Sequence, residues 1–193
     1  MNEVVLLVEE LSAKVMLESL LPRIHQPAPK ITIISFQGKS DLEKRVEKKI
    51  RGYQNRNAYF IVMRDQDSAD CLTIKNNLLD KCQRTQKQCL VRILCHELES
   101  WYLADLSAVE QALDIHGISV KQHQAKYRAP DNLSNAKQEL QRIVPAYQEV
   151  SSSRKIGMYL DINNGRSISF SIFIKGYKRI LKELDAKVGV VSP

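Results

Sequence analysis

Ala58-Tyr-Phe-Ile-Val-Met63, followed at once by Arg64-Asp65-Gln66-Asp67, is the stretch on which the fold turns. Apolar and aromatic residues run here without polar alternation, which describes a strand buried on both faces, the habit of a parallel sheet covered by helices. Three similar runs occur at 3–8 (EVVLLV), 31–36 (ITIISF) and 89–95 (CLVRILC). Between them, residues 13–24, 42–56 and 70–86 carry helical patterning, the second opened by Ser40 with Glu43 three residues on, a capping box. Strand and helix in alternation predict the α/β class: a mostly parallel sheet flanked by helices, with right-handed crossovers.

After Cys95 the pattern changes. A helix is predicted from Glu97 or Ser100 through Trp101 and Leu103 to Leu113, then a polar stretch over 114–131 with weak signals. A helix is predicted over 134–143, a loop at Ser151 to Ser153, and a final amphipathic helix over 169–184 with Phe170, Phe173, Ile174, Tyr177, Ile180 and Leu181 on one side. Residues 189–193 are expected to fray. The expected organisation is an α/β core over 1–105 and a mainly helical C-terminal extension over 106–193 packed on it as one compact unit.

The composition is that of a globular protein: 193 residues, 44% hydrophobic and 26% charged, so apolar burial can offset chain entropy, and disordered or collagen-like classes are excluded. No apolar run approaches the roughly 18 residues of a membrane span, and Val4 to Val8 is too short for a signal-peptide core, so a cytoplasmic protein is expected. Cys71, Cys82, Cys89 and Cys95 form no Cys-x-x-Cys pair and have no His at zinc-ligand spacing; they read as reduced, mostly buried thiols. The net charge of +7 points to a polyanionic partner such as DNA or RNA. It is spread over both halves of the chain, so any basic binding surface must be assembled by folding.

The acids are less evenly placed. The first strand ends Val8-Glu9-Glu10, the third ends Arg64-Asp65-Gln66-Asp67, and the fourth ends His96-Glu97-Leu98-Glu99. Ligands of open α/β sheets bind outside the carboxyl ends of the strands. In extended chain Asp65 and Asp67 face one side, as do Glu97 and Glu99. Several carboxylates drawn together repel one another unless a cation neutralises them, and oxygen-only donors select a hard ion, so Mg²⁺ or Mn²⁺ is the expected cofactor. The plainer alternative for any one acid is capping or a solvated surface, with Asp67 or Ser68 capping a helix that begins near Ala69. Lys39, just after the second strand, is the first candidate for a phosphate-contacting cation. Arg64 is equally a salt-bridge partner.

These residues resemble a known family. Val8-Glu9 closing one strand and Asp65-x-Asp67 closing another look like the TOPRIM signature of topoisomerases, primases and the overcoming-lysogenization-defect (OLD) nucleases. The run Phe36-x-Gly38-Lys39-x-x-Leu42, then Arg64 to Asp67, then Glu97-Leu98-Glu99-Ser100-Trp101-Tyr102-Leu103-Ala104-Asp105 resembles a bacterial TOPRIM-like family of unknown function. Tyr147 to Val150, Lys155-Ile156 and Arg166 to Phe170 match its C-terminal hallmarks. The resemblance implies a Rossmann-like TOPRIM fold and a metal-dependent nuclease. It further implies one ion held by Glu9, Asp65 and Asp67 and a second supported by Glu99 with Glu97 or Glu10. TOPRIM domains usually place Gly after the first Glu; here Glu10 stands there and is a substitute ligand. Lys155 and Arg166 are candidates through the resemblance alone. It also implies work beside an ATPase in phage defence, and with no Gly-x-x-x-x-Gly-Lys-Ser/Thr segment in the chain that ATPase would be a separate polypeptide.

Other conspicuous residues have plainer readings. Trp101 and Tyr102 are expected in the core rather than as base-stacking platforms. His25, His116 and His123 have no ligand spacing, whereas His96 beside the acids is a candidate for proton transfer. Lys44, Arg45, Lys48, Lys49, Arg51 and Arg56 read as a solvated face that could also line a nucleic-acid groove. Two alternatives stay open: a receiver-like switch phosphorylated at Asp65, and a non-catalytic module binding nucleic acid or a protein partner.

Overall fold

The computed structural model describes residues 3–189, with side chains through 186; the expectation for the chain beyond 189 lies outside them. Four strands, β1 (Glu3–Val8), β2 (Lys30–Ser35), β3 (Tyr59–Asp65) and β4 (Cys89–Leu94), form one parallel sheet in the order β2-β1-β3-β4. The three intervening helices are α1 (Leu11–Leu20), α2 (Lys39–Arg51) and α3 (Cys71–Gln83). The α/β class expected from the continuous apolar runs is therefore what the chain forms.

Residues of period two divide the sheet into two cores. Val5, Leu7, Phe60, Val62 and Val91 meet α2 and α3 through Leu42, Val46, Ile50, Ile74 and Leu78. On the other face Val4, Leu6, Val8, Ile61 and Met63 meet α1 and the helical second half of the chain. That half comprises α4 (Glu99–Ala104), α5 (Leu106–Leu113), α6 (Ala136–Ile143), α7 (Glu149–Gly157) and α8 (Ile168–Gly189). Three short 3-10 turns lie between 119 and 132. The apolar stripe expected on the last helix, Phe170 to Leu181, is buried. Among the described residues no helix is long and apolar enough to cross a membrane.

Several element boundaries differ from expectation, for local reasons. The second helix starts at Lys39 and not after Ser40: Gly38, at φ 85°, occupies its N-cap, and Asp41 accepts the Gln37 amide. It ends at Arg51 before Gly52. The third helix is capped by Asp70, which accepts the Thr73 amide at 2.8 Å, so Asp67 and Ser68 do not cap it. The single helix expected to Leu113 breaks at Asp105, whose carboxylate caps α5 through the Ala108 amide and accepts the Asp161 amide. The loop expected at Ser151 to Ser153 lies inside α7. Buried Ser152 and Ser153 are small enough to suit that helix's close contact with α1, and Ser152 Oγ accepts the Gln148 amide.

Candidate carboxylate site at the strand ends

Parallel register brings the carboxyl ends of β1, β3 and β4 level, with Val8 beside Met63 and Asp65 beside Leu94. Glu9 leaves β1 nearly buried, and its Oε2 accepts the Asp65 amide at 3.1 Å, bridging the two central strands. Burial pushes its carboxyl pKa up, and the nearby Asp67 charge adds to this against the Asp65 hydrogen bond. Asp65, the last residue of β3, accepts the Leu98 amide at 3.3 Å. Its pKa stands well above the ordinary carboxylate value, first through burial and then through the charges of Glu9 and Glu99. Glu99, at the start of α4, is buried, accepts the Tyr147 hydroxyl at 2.9 Å and is likewise shifted upward by burial.

The other predicted acids, Asp67, Glu97 and Glu10, have partners of their own. Asp67 does not continue the strand: β3 ends at Asp65, and Asp67 takes the left-handed conformation at φ 53°. Its Oδ2 accepts Lys39 Nζ at 2.9 Å, which places Lys39 on this edge, half exposed. Glu97 turns to the helical half, where its Oε2 accepts the Lys137 amide at the start of α6. Glu10 faces Glu149, the first residue of α7; burial, the hydrogen bond between the two carboxyls and the charges of Glu149 and Glu9 raise the Glu10 pKa to about 7. Lys137 Nζ bonds Glu149 at 2.6 Å.

Glu149 and Tyr147 are missed by local sequence reasoning. They arrive because α7 lies along α1, with Glu149 against Glu10 and Gly157 against Met16 and Ser19. Their one signal is that both fall within the family-like segment Tyr147 to Val150. The remaining candidates stand as follows. Arg64 is buried, with its guanidinium 3.1 Å from Glu43 and donating to the Asp65 carbonyl. Arg166 donates to the carbonyls of Gln122 and Tyr127. Trp101 donates to Ser169 Oγ at 2.8 Å with its ring against Phe170 and Phe173, and Tyr102 is fully buried, so both are core residues. Lys155 lies exposed on α7. His25 faces Asp185 at 3.4 Å, His116 and His123 are exposed, and His96 bonds the Asp67 carbonyl. The four cysteines are free thiols, Cys82 buried and the others half-buried.

The donors at this edge suit a hard divalent ion in chemistry. They are carboxylate oxygens, and Glu9, Glu10, Asp65 and Glu99 all have raised pKa values because burial and mutual repulsion leave their charge uncompensated. As the side chains stand, no three His, Cys, Asp or Glu among the described residues converge closely enough to hold a metal. Asp67 in particular has an oxygen engaged by Lys39. The fit therefore rests on charge and donor type, and closing the set needs side-chain movement.

A family described as a domain of unknown function (DUF4276) matches residues 8–176. Among solved structures, the C-terminal region of the Burkholderia pseudomallei OLD protein aligns with a TM-score of 0.56 and 12% identity, over 94% of this chain and 98% of that one. The C-terminal region of the Xanthomonas campestris pv. campestris OLD protein aligns at 0.49 and 15% identity, over 93% and 96%. No curated protein matches. At 12% identity the Burkholderia likeness bears on the fold, and it bears out the expected resemblance to OLD-type, TOPRIM-like architecture.

Proposed function

The chain belongs to the DUF4276 family of unknown function, and we propose that it is a divalent-metal-dependent nuclease that hydrolyses phosphodiester bonds of DNA or RNA. The observation that carries this reading is the set of buried, mutually repelling carboxylates, Glu9, Asp65 and Glu99, delivered by three strand ends to one edge. Such a set is expensive to keep ionised at neutral pH without a cation. Glu9, Asp65 and Glu99 would hold Mg²⁺ or Mn²⁺, with Asp67 joining when Lys39 lets go of it and with Glu10 and Glu149 beside them. Bound there, a divalent ion supplies charge neutralisation at the scissile phosphate and acidifies water.

The chain's own groups do the rest. The Asp65 amide orients Glu9, the Leu98 amide orients Asp65, and the Tyr147 hydroxyl orients Glu99. Lys39, free to exchange Asp67 for another anion at an exposed position, contacts a phosphate oxygen. Service beside a separate ATPase in anti-phage defence belongs to the same proposal, supported by the family resemblance alone.

The test is cleavage of plasmid, linear duplex DNA and tRNA with Mg²⁺ or Mn²⁺, run beside Asp65→Ala. Cleavage by the unaltered chain that Asp65→Ala abolishes supports the reading. Equal cleavage by Asp65→Ala, or none by the unaltered chain on any substrate, overturns it.

A further inference from the structure

The opposite edge of the sheet carries a row of basic residues. Two adjoining depressions, of about 310 and 580 Å³, share Gly52, Tyr53 and Gln54 and together cross the amino-terminal edge from β2 to β4. Lys30 and Lys49 line the first, and Arg51, Arg56 and Lys87 the second, with Arg84 next to Arg51. Two carboxylates offset this row. Glu3 lies buried beneath Lys30, held by Thr32, Tyr53 and Asn55. Glu47 is shared by Arg51 at 2.7 Å and Arg84 at 3.8 Å. Among the described residues Lys49, Arg56 and Lys87 have no carboxylate in bonding range, and Lys87 Nζ donates to the Tyr53 carbonyl.

Basic residues at helix C-termini complement the helix dipole, which accounts for Lys48, Lys49 and Arg51 at the end of α2. It does not account for Arg56, which stands in the loop leading into β3, whereas Lys87, in the loop leading into β4, is held by the Tyr53 carbonyl and the Phe60 ring. The lining is polar apart from Tyr53, whose ring packs edge-on against Phe60 in the core. Protein partners seat an apolar centre, whereas nucleic-acid interfaces are polar and positive. Four strands spaced about 4.8 Å apart make the groove about 14 Å long, the axial rise of about four nucleotides of one duplex strand.

We propose that this groove binds the sugar–phosphate backbone of a nucleic acid, without regard to sequence. A strand of six residues sets it about 20 Å from the carboxylate edge, so it is a second contact, separate from the site of hydrolysis. Lys49, Arg56 and Arg84 are exposed and are the cations to remove.

The test is fluorescence anisotropy of a labelled 24-bp DNA duplex titrated with the full chain in EDTA, from 50 to 200 mM KCl. The triple variant Lys49→Ala/Arg56→Ala/Arg84→Ala should bind at least ~10-fold more weakly at 50 mM. Its slope of log K against log salt should be shallower by about 0.9 for each cation removed. The charge-keeping variant Lys49→Arg/Arg56→Lys/Arg84→Lys should bind within about two-fold of the unaltered chain. The same pattern on an RNA duplex supports the proposal equally. An unchanged affinity and slope in the triple variant overturns it, as does absence of binding by the unaltered chain or equal competition by polyglutamate. Failure of metal-dependent cleavage with groove binding intact overturns the nuclease reading alone.

Discussion

The Asp67 backbone amide donates to the His96 carbonyl at 2.8 Å, and His96 Nδ1 pairs with the Asp67 carbonyl at 2.9 Å. A carbonyl only accepts, so Nδ1 carries the hydrogen in this pair. Both residues are left-handed, at φ 53° and 58°. The clasp ties the turn after β3, which follows Asp65, to the turn after β4, which leads to Glu99. It explains how an Asp and a His hold a backbone shape that costs most side chains energy.

His96→Val should therefore lose stability by about 2 kcal/mol, because a β-branched residue resists the left-handed region and the ring bond is lost. His96→Asn, tolerant of that region, should lose much less. Urea unfolding of the two variants is the check, and equal losses would contradict the strained-clasp explanation.

The buried Tyr147 hydroxyl is a donor to buried Glu99. Tyr147→Phe should cost about 1–2 kcal/mol, the usual result of leaving a buried acceptor short of a partner. In a double-mutant cycle with Glu99→Leu the two changes should couple by about 1 kcal/mol. Strict additivity would show that the hydroxyl does not act through Glu99.

Glu9, Glu10, Asp65 and Glu99 hold protons in the folded state more tightly than unfolded carboxyls do, Glu10 up to about 7. Their contribution to stability is full below the ordinary carboxylate range and is lost as pH rises through the folded values. Carboxylates shifted the other way, such as Glu3 at about 2, act only at lower pH. The metal-free thermal midpoint should accordingly fall from pH 5 to 8, and Mn²⁺ should offset most of that fall. A midpoint that rises over this range in EDTA would contradict the upward shifts.

A Cβ at Gly157 would run into the Met16 carbonyl oxygen, at the closest approach of α7 to α1. Gly157→Ala should destabilise the protein by about 1–3 kcal/mol through overpacking, despite alanine's better helix propensity. It should also disturb the Glu10–Glu149 pair at the other end of α7. Denaturant unfolding at unchanged or raised stability would show that the contact can give way.

The strands were legible because continuous Val, Ile and Leu runs have few other uses in a chain of this size. Glu9, Asp65 and Glu99 were legible through the general rule that α/β sites gather at strand ends. The turn of Asp67 away from the strand was not, because an Asp-x-Asp spacing does not say where extended backbone stops. Glu149 and Tyr147 were hidden for another reason: they reach the edge by tertiary packing of α7 on α1. The same packing makes a helix of Ser151 to Ser153, whose local preference is for turns and caps.

The most direct test is a calorimetric titration of Mn²⁺ into the metal-free protein at neutral pH, beside Asp65→Ala. The carboxylate edge predicts saturable binding that Asp65→Ala abolishes while leaving the fold intact by circular dichroism. No binding by the unaltered chain, or the same binding in Asp65→Ala, would contradict a metal site built on these strand ends.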